Sequence, residues 1–392
     1  MSDGPLFPEN LLQASNDEKI HYFKDKKWAH PHLKNAFVKV KMALDPSNPY
    51  LIIFVSGPTG AGKTTLCQGI VNYAQEEAAK KENPGIVPVG FMEAIAPSSG
   101  IYDWKDHHKH GLLALDEPLV DHKTEFAGPL FNRGERKGSY LLNKNPSTMD
   151  LMRAMQSCLI HRKPLAFIID EAQHLTKLGS GKRLSDQMDA IKSLANTSGV
   201  KHLLVGTYEM LRLGDLSGQL NRRTTEIHLP RYRETDEAER EEFLYILSNM
   251  ERNLPLLEQP VLTEQIDFIF SRTFGCVGIL KDWLTMALHL SLSQKARTLS
   301  LKHLEETAMS DRQLLRIARE IKEGELIMHA DLKEELRSLR GVPLNFSDNE
   351  AEHPIAHSKA GRRTPGLRNP VRDPVGENPL TTPSENRKAQ TG

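Results

Sequence analysis

Along the first 230 positions, short uninterrupted apolar runs alternate with stretches whose apolar residues recur every three or four places. The run "LIIFVS" (residues 51–56) is apolar and β-branched almost throughout, the pattern of a strand covered on both faces. Similar runs recur at Val87–Ile95, Leu165–Ile169 and Leu203–Val205, and more weakly at Thr225–Leu229. Between them lie "KTTLCQGIVNYAQEEAAKK" and "LSDQMDAIKSLAN", with helical spacing. Ahead of the first run, "HLKNAFVKVKMAL" sets Leu33, Ala36, Phe37, Val40 and Leu44 on one helical face. Strands and helices alternating in this way predict an α/β fold with a five-stranded, mostly parallel sheet between two helical layers.

After Pro230 the texture changes. "TDEAEREEFLYILSNM", "LTEQIDFIFSRTF", "GILKDWLTMALHLSL" and "SLKHLEETAM" read as amphipathic helices with no strand between them. Thr235, followed by Asp236, Glu237 and Glu239, supplies a cap and first-turn acids for the first of these. The pattern divides the chain into an N-terminal helical extension (1–45), an α/β domain (46–232), a small all-helical domain (233–340) and a tail (341–392). The tail is rich in Pro, Asn, Arg and Ser, poor in large apolar residues, and expected to be disordered. Within it "HSKAGRRTPGLRNPVR" is locally basic, either a docking segment or a soluble end.

Composition narrows the picture. The 51 basic and 51 acidic side chains cancel, so any nucleic-acid site must be a local patch. Cys67, Cys158 and Cys276 have no metal spacing and are expected as buried filler in a reducing compartment. The acidic N-terminal stretch is unlike a secretory leader, and no apolar run approaches the ~20 residues that span a bilayer. A cytoplasmic, soluble protein is expected.

The candidate chemistry sits at strand ends. After "LIIFVS" comes Gly57-Pro58-Thr59-Gly60-Ala61-Gly62-Lys63-Thr64, followed by Thr65, a glycine-rich turn that enters a helix. Its backbone N–H groups and the helix N-terminus suit phosphate oxygens, Lys63 adds a point charge for the β and γ phosphates, and the Thr64 hydroxyl suits Mg²⁺. The run "FIIDEAQH" (167–174) then supplies two adjacent carboxylates. Two acids at the end of a buried strand are costly unless a metal answers one of them. Asp170 is the expected partner of the magnesium shell, and Glu171 is placed to polarise a water for in-line attack on the γ phosphate. A pocket that only bound nucleotide would not need Glu171, so ATP hydrolysis is favoured over a structural nucleotide lock.

Thr207, ending the run "LLVG", would touch the γ phosphate or the attacking water if its strand lies between those ending at Gly57 and Asp170. Arg222 and Arg223, just before the last strand, are candidates for a finger reaching a neighbouring subunit, and the spacing does not choose between them. "DEAQ" echoes helicase boxes, but those enzymes need a second α/β domain. "LSGQL" echoes a transporter-ATPase signature, yet here it follows the acid pair instead of preceding it.

Taken in order, "GPTGAGKTTL", "FIIDEAQHL", "IKSLAN", "LLVGTYEML" and "LSGQLNRRTTEIHLPRY" resemble the AAA+ ATPases of DNA transposition, the TniB and TnsC type with a MuB-like role, over residues 18–330. The stretch "VPVGFMEAIAPSSGIYDWKDHHKHGLLALDEP" is also similar to that family's segment between its second and third strands. The resemblance implies an AAA+ P-loop fold with a helical lid. It also implies an ATP- and Mg²⁺-dependent homo-oligomer, a ring or helical filament on duplex DNA, that recruits a transposase, often with a TniQ-like targeting protein. Gly278 stands where many AAA+ proteins carry a second sensor arginine, and Lys281, one turn later, is the candidate substitute. The alternative reading is a signalling or secretion-system AAA+ ATPase, which a membrane anchor or fused receptor domain would favour.

DNA-contact candidates are Arg133, Arg136, Lys137 and Lys144 in "FNRGERKGSYLLNKN", and Lys177, Lys182 and Arg183 in "TKLGSGKR", where flanking glycines allow close approach to a phosphate backbone. The cluster "DHHKH" lacks a metal-ligand set and is expected to be an exposed polar helix. Trp28, Trp104 and Trp283 are expected packing anchors.

Overall fold

The apolar runs become the strands of one parallel sheet. In the computed structural model, which describes residues 5–80, 85–97, 100–122, 146–177, 181–214 and 223–328, these are β1 (Ile52–Ser56), β2 (Gly90–Glu93), β3 (Ala166–Asp170), β4 (Lys201–Gly206) and β5 (Thr224–His228). Their spatial order is β2-β3-β4-β1-β5, every neighbouring pair parallel. The register aligns the C-terminal ends: Ser56 stands opposite both Gly206 and His228, and Glu93 opposite Asp170. β4 therefore lies between the strand that feeds the glycine-rich turn and the strand that ends in the acid pair, meeting the condition set for Thr207.

The helices of this half are α1 (Asn16–Asp25), α2 (Pro31–Leu44), α3 (Lys63–Ala79), α4 (Trp104–Leu113), α5 (Thr148–Arg162), α6 (Gly181–Ser198) and the short α7 (Leu211–Gly214). Alternate residues along each central strand feed two separate cores. Ile52, Phe54, Phe167, Ile169 and Leu204 pack with Leu112, Leu151, Met155 and Leu194 from α4, α5 and α6. Ile53, Val55, Ile168, Leu203 and Val205 pack with Leu33, Val40, Leu66 and Ile70 from α2 and α3. In the central strands both faces are buried, so the runs 51–55, 165–169 and 203–205 carry no polar position, and each large aliphatic side chain so covered contributes about 1.5–3 kcal/mol.

Local sequence sets the helix ends. Ser15 with Glu18 caps α1, and Ser147 with Asp150 caps α5, each pair closing a reciprocal box. α5 stops at Lys163, whose backbone is left-handed at φ +46°.

The remaining helices are α8 (Glu237–Glu251), α9 (Ile266–Thr273), α10 (Val277–Ser293), α11 (Leu301–Thr307) and α12 (Asp311–Met328). The cap of α8 is Asp236, which accepts from the Ala238 and Glu239 N–H groups at 3.1 and 3.2 Å, and not Thr235. α8–α11 share a core that includes Phe243, Leu247, Phe270, Leu280 and Trp283. Phe23 of α1 joins this core, whereas α2 lies on the sheet. The expected N-terminal extension thus serves both halves, and the described residues fall within one compact unit. Among them no helix is long and apolar enough to cross a membrane. The tail expected at 341–392 lies outside the described residues.

The anchors are as expected: Trp283 is buried with its indole N–H on the Leu304 carbonyl at 3.0 Å, and Trp28 and Trp104 pack half-buried against their cores. Cys67, Cys158 and Cys276 are all buried and unpaired.

"DHHKH" corrects an expectation. It does form a helix, α4, but His107 and His108 are only 3% and 2% exposed. The His107 ring nitrogen pairs with the Tyr102 hydroxyl at 2.7 Å, and His108 Nδ1 lies 3.4 Å from the Met155 sulfur. The physical cause is the stripe Trp104, His107/His108, Gly111/Leu112, which faces α5. A side chain at Gly111 would collide with Met155, its Cβ only 2.8 Å from Cε. Burial lowers both imidazole pKa values, that of His108 to about 4, so both are neutral.

Candidate functional site

The C-terminal edge of the sheet gathers the predicted chemistry. The chain leaves β1 at Ser56, turns through residues 57–62, and enters α3 at Lys63, with Gly62 at φ +99° capping the helix in a conformation open mainly to glycine. Lys63 is 7% exposed, and its ammonium donates to the carbonyls of Gly57 and Pro58 at 3.0 and 2.8 Å. Burial lowers its pKa, and the opposing carboxylates are Glu320, Glu171 and Asp170, in that order of strength.

On the next residue, the Thr64 hydroxyl donates to Asp170 Oδ2 at 3.1 Å. The other Asp170 oxygen accepts from the Glu171 N–H at 2.9 Å. Asp170 is only 4% exposed; burial raises its pKa, and those two donors partly offset the rise. The two metal candidates, Thr64 and Asp170, are therefore in direct contact and present hard oxygen donors, which suits Mg²⁺. Glu171 is half-buried and left-handed at φ +54°, a conformation that a non-glycine residue adopts only at some cost.

A residue that the sequence reading passed over holds the arrangement together. Gln173, 7% exposed, donates its amide N–H to Glu171 Oε2 and accepts the Thr207 backbone N–H on Oε1 at 3.1 Å. One side-chain amide thus ties the second carboxylate of the pair to the end of β4. The available signal was a polar residue two places beyond the pair, in a turn whose other inward residues are apolar. Thr207 itself is half-buried at the strand end.

The loop is backed from the helical half. Gly278 at the start of α10 donates its N–H to the Gly60 carbonyl at 2.7 Å, and a Cβ there would stand 2.6 Å from that oxygen. Only glycine lets α10 touch the turn so closely, which gives a packing reason for the missing arginine. Lys281, half-buried, has Asp282, Asp25, Lys24 and Lys27 as its charged neighbours, so it faces α1 and the turn after it. Thr59, exposed on the turn, meets Glu320 of α12.

The other candidates stand apart. Arg223 is exposed and donates to Asn196 Oδ1 at 2.7 Å. It precedes Thr224, which stands opposite Ile52, so it lies at the sheet edge away from its own Lys63 and Asp170. Lys177 is exposed just beyond the short 3-10 turn that follows Glu171. Arg222, Arg133, Arg136, Lys137 and Lys144 lie outside the described residues. Lys182 and Arg183 are described as backbone at the start of α6 only.

Against known proteins, residues 48–213 match the family model described as an AAA domain. No curated protein matches the sequence. Among solved structures, the chain is similar to the Aeropyrum pernix ORC2 protein in its ADP form, at 15% identity and a TM-score of 0.48, covering 73% of this chain and 71% of that one. It is also similar to domain III of the Thermotoga maritima replication initiation protein DnaA, at 16% identity and a TM-score of 0.40, covering 73% of this chain and 95% of that one. A third is the Thermotoga maritima RuvB Holliday junction branch migration motor, at 14% identity and a TM-score of 0.37, covering 73% and 72%. The parallel sheet in the order β2-β3-β4-β1-β5, with the glycine-rich turn leaving its centre, is the AAA+ P-loop fold.

Proposed function

We propose that this chain is an ATP-dependent, DNA-binding ATPase that oligomerises on duplex DNA and governs target selection and transposase recruitment in DNA transposition. The observation that carries the nucleotide part is the meeting of Lys63, Thr64, Asp170, Glu171 and Thr207 at one edge of the sheet, from three adjacent strands. Gly57, Pro58, Thr59, Gly60, Ala61, Gly62, Thr64 and Thr65 would surround the phosphates, with Thr64 and Asp170 holding Mg²⁺. The metal, when bound, supplies positive charge that stabilises the phosphate oxygens as the bond to the leaving group breaks.

The residues then divide the work. Lys63 neutralises charge on the β and γ phosphates. Glu171 accepts a proton from the attacking water as its oxygen bonds to the γ phosphorus, and the bridging oxygen departs with ADP. Gln173 fixes the direction of that carboxylate, and Thr207 orients the water or the γ phosphate. Arg223, remote from its own acid pair, or Arg222 beside it, would complete the site of a neighbouring copy.

The DNA part rests on the resemblance, which is most specific from "DEAQHL" through "LNRR", and on the basic loop candidates, of which Lys177 is exposed. A transposase and a TniQ-like protein are the partners that resemblance implies. The test is retention on non-specific duplex DNA with ATP or a non-hydrolysable analogue. Binding that requires nucleotide and weakens steeply from 50 to 200 mM salt is expected. Absence of binding at low salt with either nucleotide would overturn the DNA part and leave the nucleotide site to be judged by turnover.

A further inference from the structure

α12 lies against the phosphate-binding turn, and its Glu320 makes contacts there that a nucleotide's own oxygens would seek. One Glu320 oxygen accepts the Thr59 N–H at 3.0 Å, and the Thr59 hydroxyl lies 3.0 and 2.9 Å from the two carboxylate oxygens. Glu320 is also the carboxylate that most strongly favours the charged form of the buried Lys63, ahead of the two acids of β3's end. Carboxylate and phosphate are both anions whose oxygens accept from backbone N–H groups and draw positive charge close. Glu320 therefore presents to the turn the chemistry of a phosphate oxygen.

The helix is seated by several contacts of ordinary strength. Ile321 packs with Cys276 and Ile279, the latter also against Gly60. Gly324 rests on the Tyr208 ring so closely that a Cβ there would fall 1.9 Å from Cδ2. Glu325 takes the Arg231 guanidinium through two hydrogen bonds of 2.7 and 3.0 Å, and Arg231 also reaches the Phe274 carbonyl at 3.3 Å. Tyr208 follows Thr207 directly and bonds His228 at 2.8 Å, so the helix leans on the segment that carries the strand-end threonine. A triphosphate entering the turn would bring several negative charges beside Glu320 and compete for the same donors.

We propose that α12 is a displaceable strap, whose Glu320 competes with the terminal phosphates of a nucleoside triphosphate for Thr59 and for the field of Lys63. Strap seating and nucleotide binding then oppose each other. This rests on the nucleotide reading of the turn.

The test uses the full chain, without DNA, titrated with a fluorescent ATP analogue. Two variants release the strap by different means. Glu320→Ala removes the anion; Gly324→Ala adds a methyl group where the Tyr208 ring sits, while favouring the helix itself. Each is expected to bind nucleotide about 5–30-fold tighter, and the double variant no tighter than the better single one. Hydrogen exchange across residues 314–328 is expected to quicken in both, and in the parent chain when nucleotide is added. Unchanged affinity in both variants, with Lys63→Ala losing binding, would overturn the strap and leave the nucleotide site standing. Weaker binding by Glu320→Ala would overturn it too, making Glu320 part of the nucleotide site. Tightening in only one variant would overturn the coupling of anion and helix. If the parent and both variants bind no nucleotide, the reading of the site falls and the strap with it.

Discussion

Two kinds of carboxylate face the glycine-rich turn, and they reach it by opposite routes. Asp170 and Glu171 stand at the end of β3, fixed by sheet register and by hydrogen bonds from their own neighbours. Glu320 arrives on α12, 261 residues from the Thr59 it contacts, held by a helix that rests on one small residue, a few apolar side chains and two ion pairs, Arg231–Glu325 and Arg272–Asp311. On the reading proposed above, the first kind serves the chemistry, fixed at a strand end, and the second governs occupancy, carried by a helix that can be displaced.

Removing the charge of a fixed group tests this most severely. Glu171→Gln is expected to lower ATP turnover by about 10²–10⁴-fold, the usual worth of a positioned general base. Nucleotide binding should persist, since Lys63 and the turn are untouched. Phosphate release followed alongside fluorescent-nucleotide binding separates the two. Turnover equal to that of the parent would place Glu171 with Glu320, as a carboxylate that sits near the phosphates without acting on them.

A smaller effect is expected when the fixed group keeps its charge and loses its restraint. Gln173→Ala removes the amide between Glu171 and the Thr207 N–H, and leaves that donor without its partner. The loss of one such bond predicts a fall in kcat of about 10-fold, or ~1.4 kcal/mol of barrier. KM should change little, because no phosphate contact is removed. A rise in KM at constant kcat would show that Gln173 shapes binding, and that Glu171 needs no such support.

The same contrast explains what could be read in the sequence. The turn and the acid pair were legible because each depends on neighbours in the chain: a buried strand, a tight turn, a helix start; the place of β4 between β3 and β1 entered only as a condition on Thr207, and the structure meets it. Lys63 and Thr64, at the start of α3 after β1, meet Asp170 at the end of β3 because the strands of the sheet are parallel and end together. Gln173 was within reach, two places from Glu171, but a polar residue in a short turn gives no sign of which backbone N–H it will find. Glu320 gave no local sign at all, since its partner is set by the packing of α12 on Tyr208 and Ile279. His107 and His108 misled for a related reason. Their polar neighbours suggest water, but helical spacing aligns them with Trp104 and Leu112, and Gly111 admits Met155.

The finest test of fixed against displaceable asks what fixing costs when no cation is present. Asp170 is 4% exposed, and burial holds its pKa above the ordinary carboxylate value of 3.8. An acid with a raised folded-state pKa binds its proton more tightly in the fold than in the unfolded chain. Its contribution to stability is therefore full below about pH 4 and is lost as the pH rises through the raised value. At pH 7, without nucleotide or metal, the ionised group costs stability. Asp170→Asn keeps an oxygen for the Glu171 N–H, offers an amide to the Thr64 hydroxyl and carries no charge. It is expected to raise Tm by about 1–2 °C at pH 7, a gain that shrinks towards pH 4. Adding Mg²⁺ and ATP should stabilise the parent more than the variant, reversing the order. A variant that melts below the parent at pH 7 would mean that the two donors already outweigh burial, so that holding this carboxylate in place carries no penalty for a metal to relieve.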